Sequence, residues 1–109
     1  MLRKENRLLK GERLRNEKTI NTPFAVIKIE DSEEKESKFG FIVSKKIDKR
    51  AVIRNSIRRR IRAAVEELLD QIEPSKKVLF IIKKEGLNID YEEILNTLTR
   101  TFRKEGLLK

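Results

Sequence analysis

The sequence predicts an α+β fold, a small two-layer α/β sandwich in which helices pack on one sheet. Three observations support this fold class. Short runs rich in β-branched and aromatic residues are combined with two longer segments of helical periodicity. The chain has 109 residues, which is the size of a single domain spanning residues 1–109. Its hydrophobic fraction of 38% is enough for one core, although 41% of the residues are charged.

The first half of the chain predicts a weak helix and then two strands. Residues 1–18 contain scattered leucines among charges and an interrupting Gly11, which predicts at most a short, frayed helix. Residues 24–29 and 39–44 are rich in β-branched and aromatic side chains, and each predicts a strand. The polar, acidic residues 31–37 between them are typical of a hairpin loop.

Residues 51–69 predict an amphipathic helix with one cationic face. At 100° per residue, one stripe is apolar and contains Ile53, Ile57, Ile61, Ala64, Val65 and Leu68. Roughly opposite lie Asn55, Arg58, Arg59 and Arg62. Acidic residues enter only in the later turns, so the cations lie near the positive end of the helix dipole, where they are disfavoured. We therefore expect bound anions to offset this unfavourable interaction at the start of the helix.

The last third of the chain predicts a strand and a terminal helix. Residues 78–82 form a continuous apolar run, which is typical of a mid-sheet strand buried on both faces. Asp90 and Glu93 resemble a capping box, which predicts the start of a helix that ends near Gly106. The apolar stripe of this helix contains Ile94, Leu95, Leu98 and Phe102.

The composition excludes several classes of function. Without histidine or cysteine, the chain has no disulfides, no imidazole or thiolate metal ligands and no histidine-dependent nucleophile. Nothing fixes the spacing of the carboxylates in the acidic loop, so a hard-metal site there is not expected. No apolar run approaches the roughly 20 residues of a membrane span, and a cytoplasmic protein is expected.

The positive charge is concentrated in one segment. Of the net charge of +9, residues 45–62 carry +8, because they contain nine basic residues and one acidic residue. Such a segment suits a polyanion better than an ordinary solvated face. A membrane-surface helix is disfavoured, because its apolar stripe has no Trp or Phe and is needed to cover the sheet. Binding of duplex DNA through the same helix remains an alternative.

Residues 40–62 resemble the signature of the bacterial ribonuclease P protein subunit. In that family a strand ends in Val-Ser-Lys-Lys and a short basic turn follows. A helix then begins with Ala-Val-x-Arg-Asn, followed after two positions by two basic residues and three positions later by Arg. This chain has the matching residues Val43, Ser44, Lys45, Lys46, Ala51, Val52, Arg54, Asn55, Arg58, Arg59 and Arg62.

The resemblance implies the protein subunit of an RNA–protein endoribonuclease. Such a subunit binds a large catalytic RNA and assists Mg²⁺-dependent removal of the 5′ leader from precursor tRNA. The resemblance also implies that the RNA holds most of the Mg²⁺, and that the protein has no catalytic residue, organic cofactor, membrane contact or obligate protein partner. The implied fold is a four-stranded sheet with a left-handed β-α-β crossover, the ribosomal protein S5 domain 2-like class, against the usual handedness.

The resemblance also assigns site residues by position. RNA contacts are assigned to Lys45, Lys46, Lys49, Arg50, Arg54, Asn55, Arg58, Arg59 and Arg62. A cleft for the leader is assigned to Ala25, Ile27, Ile42 and Ser44. The family's first helix usually carries two aromatic side chains at this cleft, but no aromatic residue precedes Phe24 here, and Leu14 is the expected substitute. A non-catalytic RNA-binding or ribosome-assembly module of the same fold is the alternative.

Overall fold

The computed structural model describes residues 6–8, 14 and 18–109. Their regular elements are β1 (Lys18–Asn21), β2 (Ala25–Asp31), β3 (Lys38–Ile42), α1 (Ala51–Leu68), β4 (Lys76–Ile82) and α2 (Tyr91–Lys104). Short 3₁₀ turns follow α1 at Leu69–Gln71 and β4 at Lys84–Asn88. The strands form one mixed sheet in the order β1-β2-β4-β3. The predicted α+β sandwich is confirmed, and so are both long helices.

Strand β4 lies in the interior of the sheet, as predicted for residues 78–82. It is antiparallel to β2 and parallel to β3. Neighbouring parallel strands need a long connection, and here α1 supplies it between β3 and β4. The basic segment therefore begins where β3 ends. The left hand of this crossover stays a prediction of the family resemblance.

The sequence did not predict β1, which lies at one edge of the sheet. It has four residues and pairs antiparallel with β2, and Ile20 is its only apolar side chain. At the other edge, Arg7 forms a parallel bridge with Phe39, and the Leu8 N–H donates to the Phe39 carbonyl at 3.0 Å. The predicted frayed helix falls largely outside the described residues, and Arg7 and Leu8 of that segment pair with β3.

The helices cover one face of the sheet. Buried strand residues on this face are Ala25, Ile27, Ile29, Phe39, Val78, Phe80 and Ile82. They form one core with Ile57, Ile61, Ala64, Val65 and Leu68 of α1 and Ile94, Leu98 and Phe102 of α2. No helix of the described residues covers the opposite face, which we call the helix-free face, and there Leu79 and Ile81 are only half-buried. The prediction that residues 78–82 are buried on both faces is therefore wrong for this second face.

Helix α2 begins and ends as the sequence predicted. The Asp90 side chain accepts a hydrogen bond from the Glu93 N–H at 2.8 Å, which satisfies one donor of the first turn. After the last helical residue, Gly106 has a φ of 76°, a left-handed conformation that glycine adopts without strain.

We expect Asp90→Ala to lower the free energy of unfolding by about 1 kcal/mol, because a helix N–H loses its acceptor. Urea denaturation followed by circular dichroism measures this loss. Asp90→Asn is the matched control, since an asparagine oxygen can accept the same bond and should restore most of the stability. Equal losses in the two variants would contradict a capping role.

Candidate nucleic-acid interface

The loop between β3 and α1 is a defined turn held by its own hydrogen bonds. The Ile47 N–H donates to the Ser44 carbonyl at 3.0 Å, and the Lys46 N–H donates to Ser44 Oγ at 3.1 Å. Arg50 donates to the Asp48 carboxylate at 2.8–3.0 Å through its backbone N–H and its guanidinium. The loop lysines Lys45, Lys46 and Lys49 are exposed on this turn.

Asp48 is the one acidic residue of the segment 45–62, and Arg50 is its partner. Hydrogen bonds from the Arg50 side chain and backbone, together with its positive charge, hold the pKa of Asp48 at about 2. The same hydrogen bond and charge from Asp48 raise the pKa of Arg50. Asp48 therefore stays ionised at neutral pH and offsets one guanidinium, so the remaining cations of the segment have no acid within it.

Arg54 connects the first turn of α1 to this loop. Its Nη1 donates to the carbonyl oxygens of Asp48, at 3.0 Å, and Lys49, at 2.8 Å. Arg54 thus holds the loop against the helix, and its predicted contact with RNA stays a prediction. The helix itself has no side-chain cap and no acid in its first turn. Its positive dipole end therefore adds to the local cations, as the order of charges predicted.

The outward surface of α1 carries cations that lack acidic partners. Arg58 donates to Asn55 Oδ1 at 2.6 Å, which fixes these two side chains to one another. Within residues 6–8, 14 and 18–109, the side chains of Arg59 and the three loop lysines make no hydrogen bond or ion pair. We call the predicted RNA-contacting set the basic face; it comprises Lys45, Lys46, Lys49, Arg50, Arg54, Asn55, Arg58, Arg59 and Arg62.

Arg62 differs from the outward position that the helical periodicity predicted. Its guanidinium carbon lies 5.5 Å from the centroid of the Phe41 ring, and its Nε is buried without a hydrogen-bond partner. The residue is half-buried at the seam between α1 and β3. Periodicity placed Arg62 on the polar side of the helix, but it could not show that a ring from β3 reaches it.

The acidic residues that follow along α1 lie beside the first turn of α2. The Tyr91 hydroxyl donates to the Glu67 carboxylate. This hydrogen bond, together with burial and the charges of Glu67, Glu92 and Glu66, raises the pKa of Tyr91 to about 12. The surface along α1 therefore changes from positive at its start to negative near its end, which favours one orientation of a polyanion.

The helix-free face of the sheet contains the accessible part of the predicted cleft. Ile42 of β3 is 46% exposed, and Ser44, which follows β3, is exposed. Leu14 lies in no strand and is half-buried. A Cβ on Gly40 would lie 3.0 Å from Leu8 Cδ1, so Leu8 approaches this face closely. The role of these residues in binding a leader stays a prediction.

The assignment of Ala25 and Ile27 to the cleft floor is wrong. Both side chains are fully buried on the face that the helices cover. Side chains alternate along a strand, so a shift of one residue reverses every assignment. The half-buried Val26 and Lys28 of the same strand occupy the helix-free face instead. The alternation of Ile27 and Ile29 with Lys28 and Glu30 is the signal that could have placed Ala25 and Ile27 on the buried face.

Two further observations limit the chemistry of the described residues. Within them, no group of three or more acidic, histidine or cysteine side chains could hold a metal ion. No helix among them is both long and apolar enough to cross a membrane.

Comparisons with known proteins agree in pointing to one family. The family model Ribonuclease P matches residues 2–106. The ribonuclease P protein components of Bacillus cereus (strain Q1) and Bacillus mycoides (strain KBAB4) are each 32% identical over 111 aligned positions, covering 97% of this chain and 96% of the relative.

Solved structures show the same fold. The Staphylococcus aureus RNase P protein has a TM-score of 0.73 at 22% identity, covering 85% of this chain and 84% of that one. The Thermotoga maritima RNase P protein has a TM-score of 0.73 at 19% identity, covering 85% and 96%.

Proposed function

The chain belongs to the ribonuclease P protein family, and we propose that its basic face binds the catalytic RNA of ribonuclease P. Membership makes it the protein subunit of an endoribonuclease ribonucleoprotein that processes tRNA. The observation that supports the RNA-binding surface is the charge of residues 45–62. They contain nine basic residues, and their one acidic residue, Asp48, is already paired with Arg50. The proposed RNA partners are the catalytic RNA and precursor tRNA.

The two kinds of cation in the basic face suit different parts of this task. The planar guanidinium of an arginine can bond two phosphate oxygens at once, which sets geometry as well as affinity. The loop lysines contribute point charges whose donors rotate freely. Because Arg54 and Asp48 hold the loop before RNA arrives, less conformational entropy is lost on binding.

We also propose that the protein alone is not catalytic. The sequence has no histidine or cysteine, and the described residues offer no cluster that could hold a metal ion. In this proposal the chemistry belongs to the RNA and to the Mg²⁺ that the RNA holds, and the protein has no organic cofactor. The protein's share is electrostatic, because cations between RNA segments reduce phosphate repulsion.

Reconstitution with a bacterial ribonuclease P RNA tests the proposed function. We expect the chain to accelerate cleavage of precursor tRNA at millimolar Mg²⁺ and to lower the Mg²⁺ concentration needed for half-maximal cleavage. The measurement is a Mg²⁺ titration of cleavage rate with and without the protein. The same Mg²⁺ dependence in both series, despite RNA binding, would favour the non-catalytic RNA-binding module instead.

We propose that the 5′ leader of precursor tRNA lies on the helix-free face of the sheet. The apolar strand side chains on this face are aliphatic. They are Val26 of β2, Ile42 of β3, and Leu79 and Ile81 of β4. No aromatic residue precedes Phe24 in the sequence. A base stacked on an aromatic side chain gains about 1–3 kcal/mol, and this surface does not offer that gain.

We therefore expect this protein to discriminate weakly between leaders. Holoenzyme affinities for precursor tRNAs with a long and a short leader should differ by less than about tenfold, roughly the effect of one stacked base. Equilibrium binding in Ca²⁺, which slows cleavage, measures both affinities. A larger difference would contradict an aliphatic leader site.

A further inference from the structure

We infer that Phe41 is a positioning residue for RNA binding, because its ring holds the Arg62 guanidinium where a phosphate of the catalytic RNA can meet it. The inference rests on the proposed function, since only RNA binding gives Arg62 a ligand. Phe41 belongs to β3 and lies outside the basic face. Its proposed role is to orient another residue, and it makes no RNA contact of its own.

The ring is the one group of the described chain that orients this guanidinium. The other partly buried arginines of α1 donate to oxygen atoms. Arg54 bonds two loop carbonyls, Arg58 bonds Asn55 and Arg60 bonds the Ile89 carbonyl at 2.6 Å. Arg62 bonds none of the described residues, although its guanidinium carbon lies 5.5 Å from the centroid of the Phe41 ring. A cation within about 6 Å of an aromatic face is attracted to it.

The Phe41 ring is itself held by the core. It stacks on Phe80 with a centroid distance of 5.2 Å and an interplanar angle of 5°. Phe80 is fully buried in β4 and packs at 52° against Phe102 of α2, with centroids 6.3 Å apart. Phe41 therefore cannot turn away from Arg62 without losing its contact with the centre of the core.

Such a support changes what Arg62 can do for RNA. A free arginine side chain loses rotamer freedom when it binds, whereas a guanidinium already held on a ring loses less. Nε is the buried nitrogen of Arg62, so the terminal nitrogens remain available to donate to a phosphate. The attraction between a cation and a ring depends on the charge, so the terminal N–H groups can still donate to a phosphate. Both contacts can therefore exist at once.

A double-mutant cycle tests the inference, with affinity for bacterial ribonuclease P RNA as the readout. The variants are Phe41→Leu, Arg62→Gln and the two together. We expect Phe41→Leu to weaken RNA binding about two- to fivefold, the factor that an exposed cation–π contact provides. In the Arg62→Gln background, Phe41→Leu should have no further effect. We expect Phe41→Tyr, which keeps the ring, to restore the affinity.

The salt dependence separates positioning from a loss of stability. Losing one phosphate contact makes the negative slope of log affinity against log salt shallower by about 0.7. Phe41→Leu should move this slope toward the slope of Arg62→Gln. Phe39→Leu is the matched control, because Phe39 is a buried aromatic residue of the same strand. We expect this control to lose thermal stability but to keep the wild-type slope.

The failure of this inference can be told apart from failure of the proposed function. If wild-type protein does not bind the catalytic RNA, the proposed function is wrong. If wild-type protein binds but Phe41→Leu weakens binding equally with and without Arg62, Phe41 does not act through the guanidinium. An unchanged salt slope in folded Phe41→Leu would overturn the inference as well.

Discussion

Replacing Arg58 and Arg59 together by alanine should weaken binding of the catalytic RNA about a hundredfold and leave the fold intact. A hydrogen bond to a charged group contributes about 1.5 kcal/mol or more, so each lost guanidinium corresponds to about tenfold. Neither residue belongs to the core, since Arg59 is exposed and Arg58 contacts Asn55 on the same helix. Filter binding or fluorescence anisotropy at fixed salt measures the affinity, and circular dichroism checks the fold.

The matched control is the pair Arg103→Ala and Lys104→Ala. These residues are also adjacent, exposed cations, but they lie in the last turn of α2. The neighbouring Glu105 pairs with Lys18 of β1, at the edge of the sheet opposite β3, so this pair should change RNA affinity little once salt screens its charge. Removing Arg58 and Arg59 should also make the slope of log affinity against log salt shallower by about 1.4, because two phosphate contacts are lost. Equal effects of both pairs would mean that net charge, rather than the basic face, determines binding.

The elements that could be predicted are those with a local periodic signal. Helix α1 has an apolar stripe over five turns, and α2 has a stripe together with the Asp90 cap. Strand β1 has neither, because four residues with Ile20 as the one apolar side chain show no alternation. Its position depends on pairing with β2, which is a tertiary contact.

The location of the basic face could also be predicted, but not the part that each residue has in it. Charge counting finds residues 45–62 because clustering is visible along the chain. The carbonyls that hold Arg54 and the ring beneath Arg62 come from a loop and from a strand, respectively. The faces of β2, by contrast, could have been distinguished, because Ile27 and Ile29 alternate with the charged Lys28 and Glu30 and so place residues 25, 27 and 29 on the buried face.

Phe80→Ala should lower the free energy of unfolding by about 3–5 kcal/mol, the usual loss for a large aromatic residue removed from a core. Phe80 is fully buried, stacks on Phe41 and packs against Phe102. Its removal leaves a cavity between β4, the edge strand β3 and α2, where neighbouring rings cannot easily close. Because domains of this size have total stabilities of about 5–15 kcal/mol, thermal and urea denaturation should both show a large shift.

Leu79→Ala is the matched control for Phe80→Ala, because Leu79 is adjacent to Phe80 in the same strand but lies on the helix-free face. Its side chain is half-buried, so its removal should cost no more than about 1.5 kcal/mol. A clear difference between the variants would show that the sheet is packed on one face and accessible on the other. Equal losses would require a second packed layer over Leu79, and a sheet covered on both sides would have no open surface for a leader.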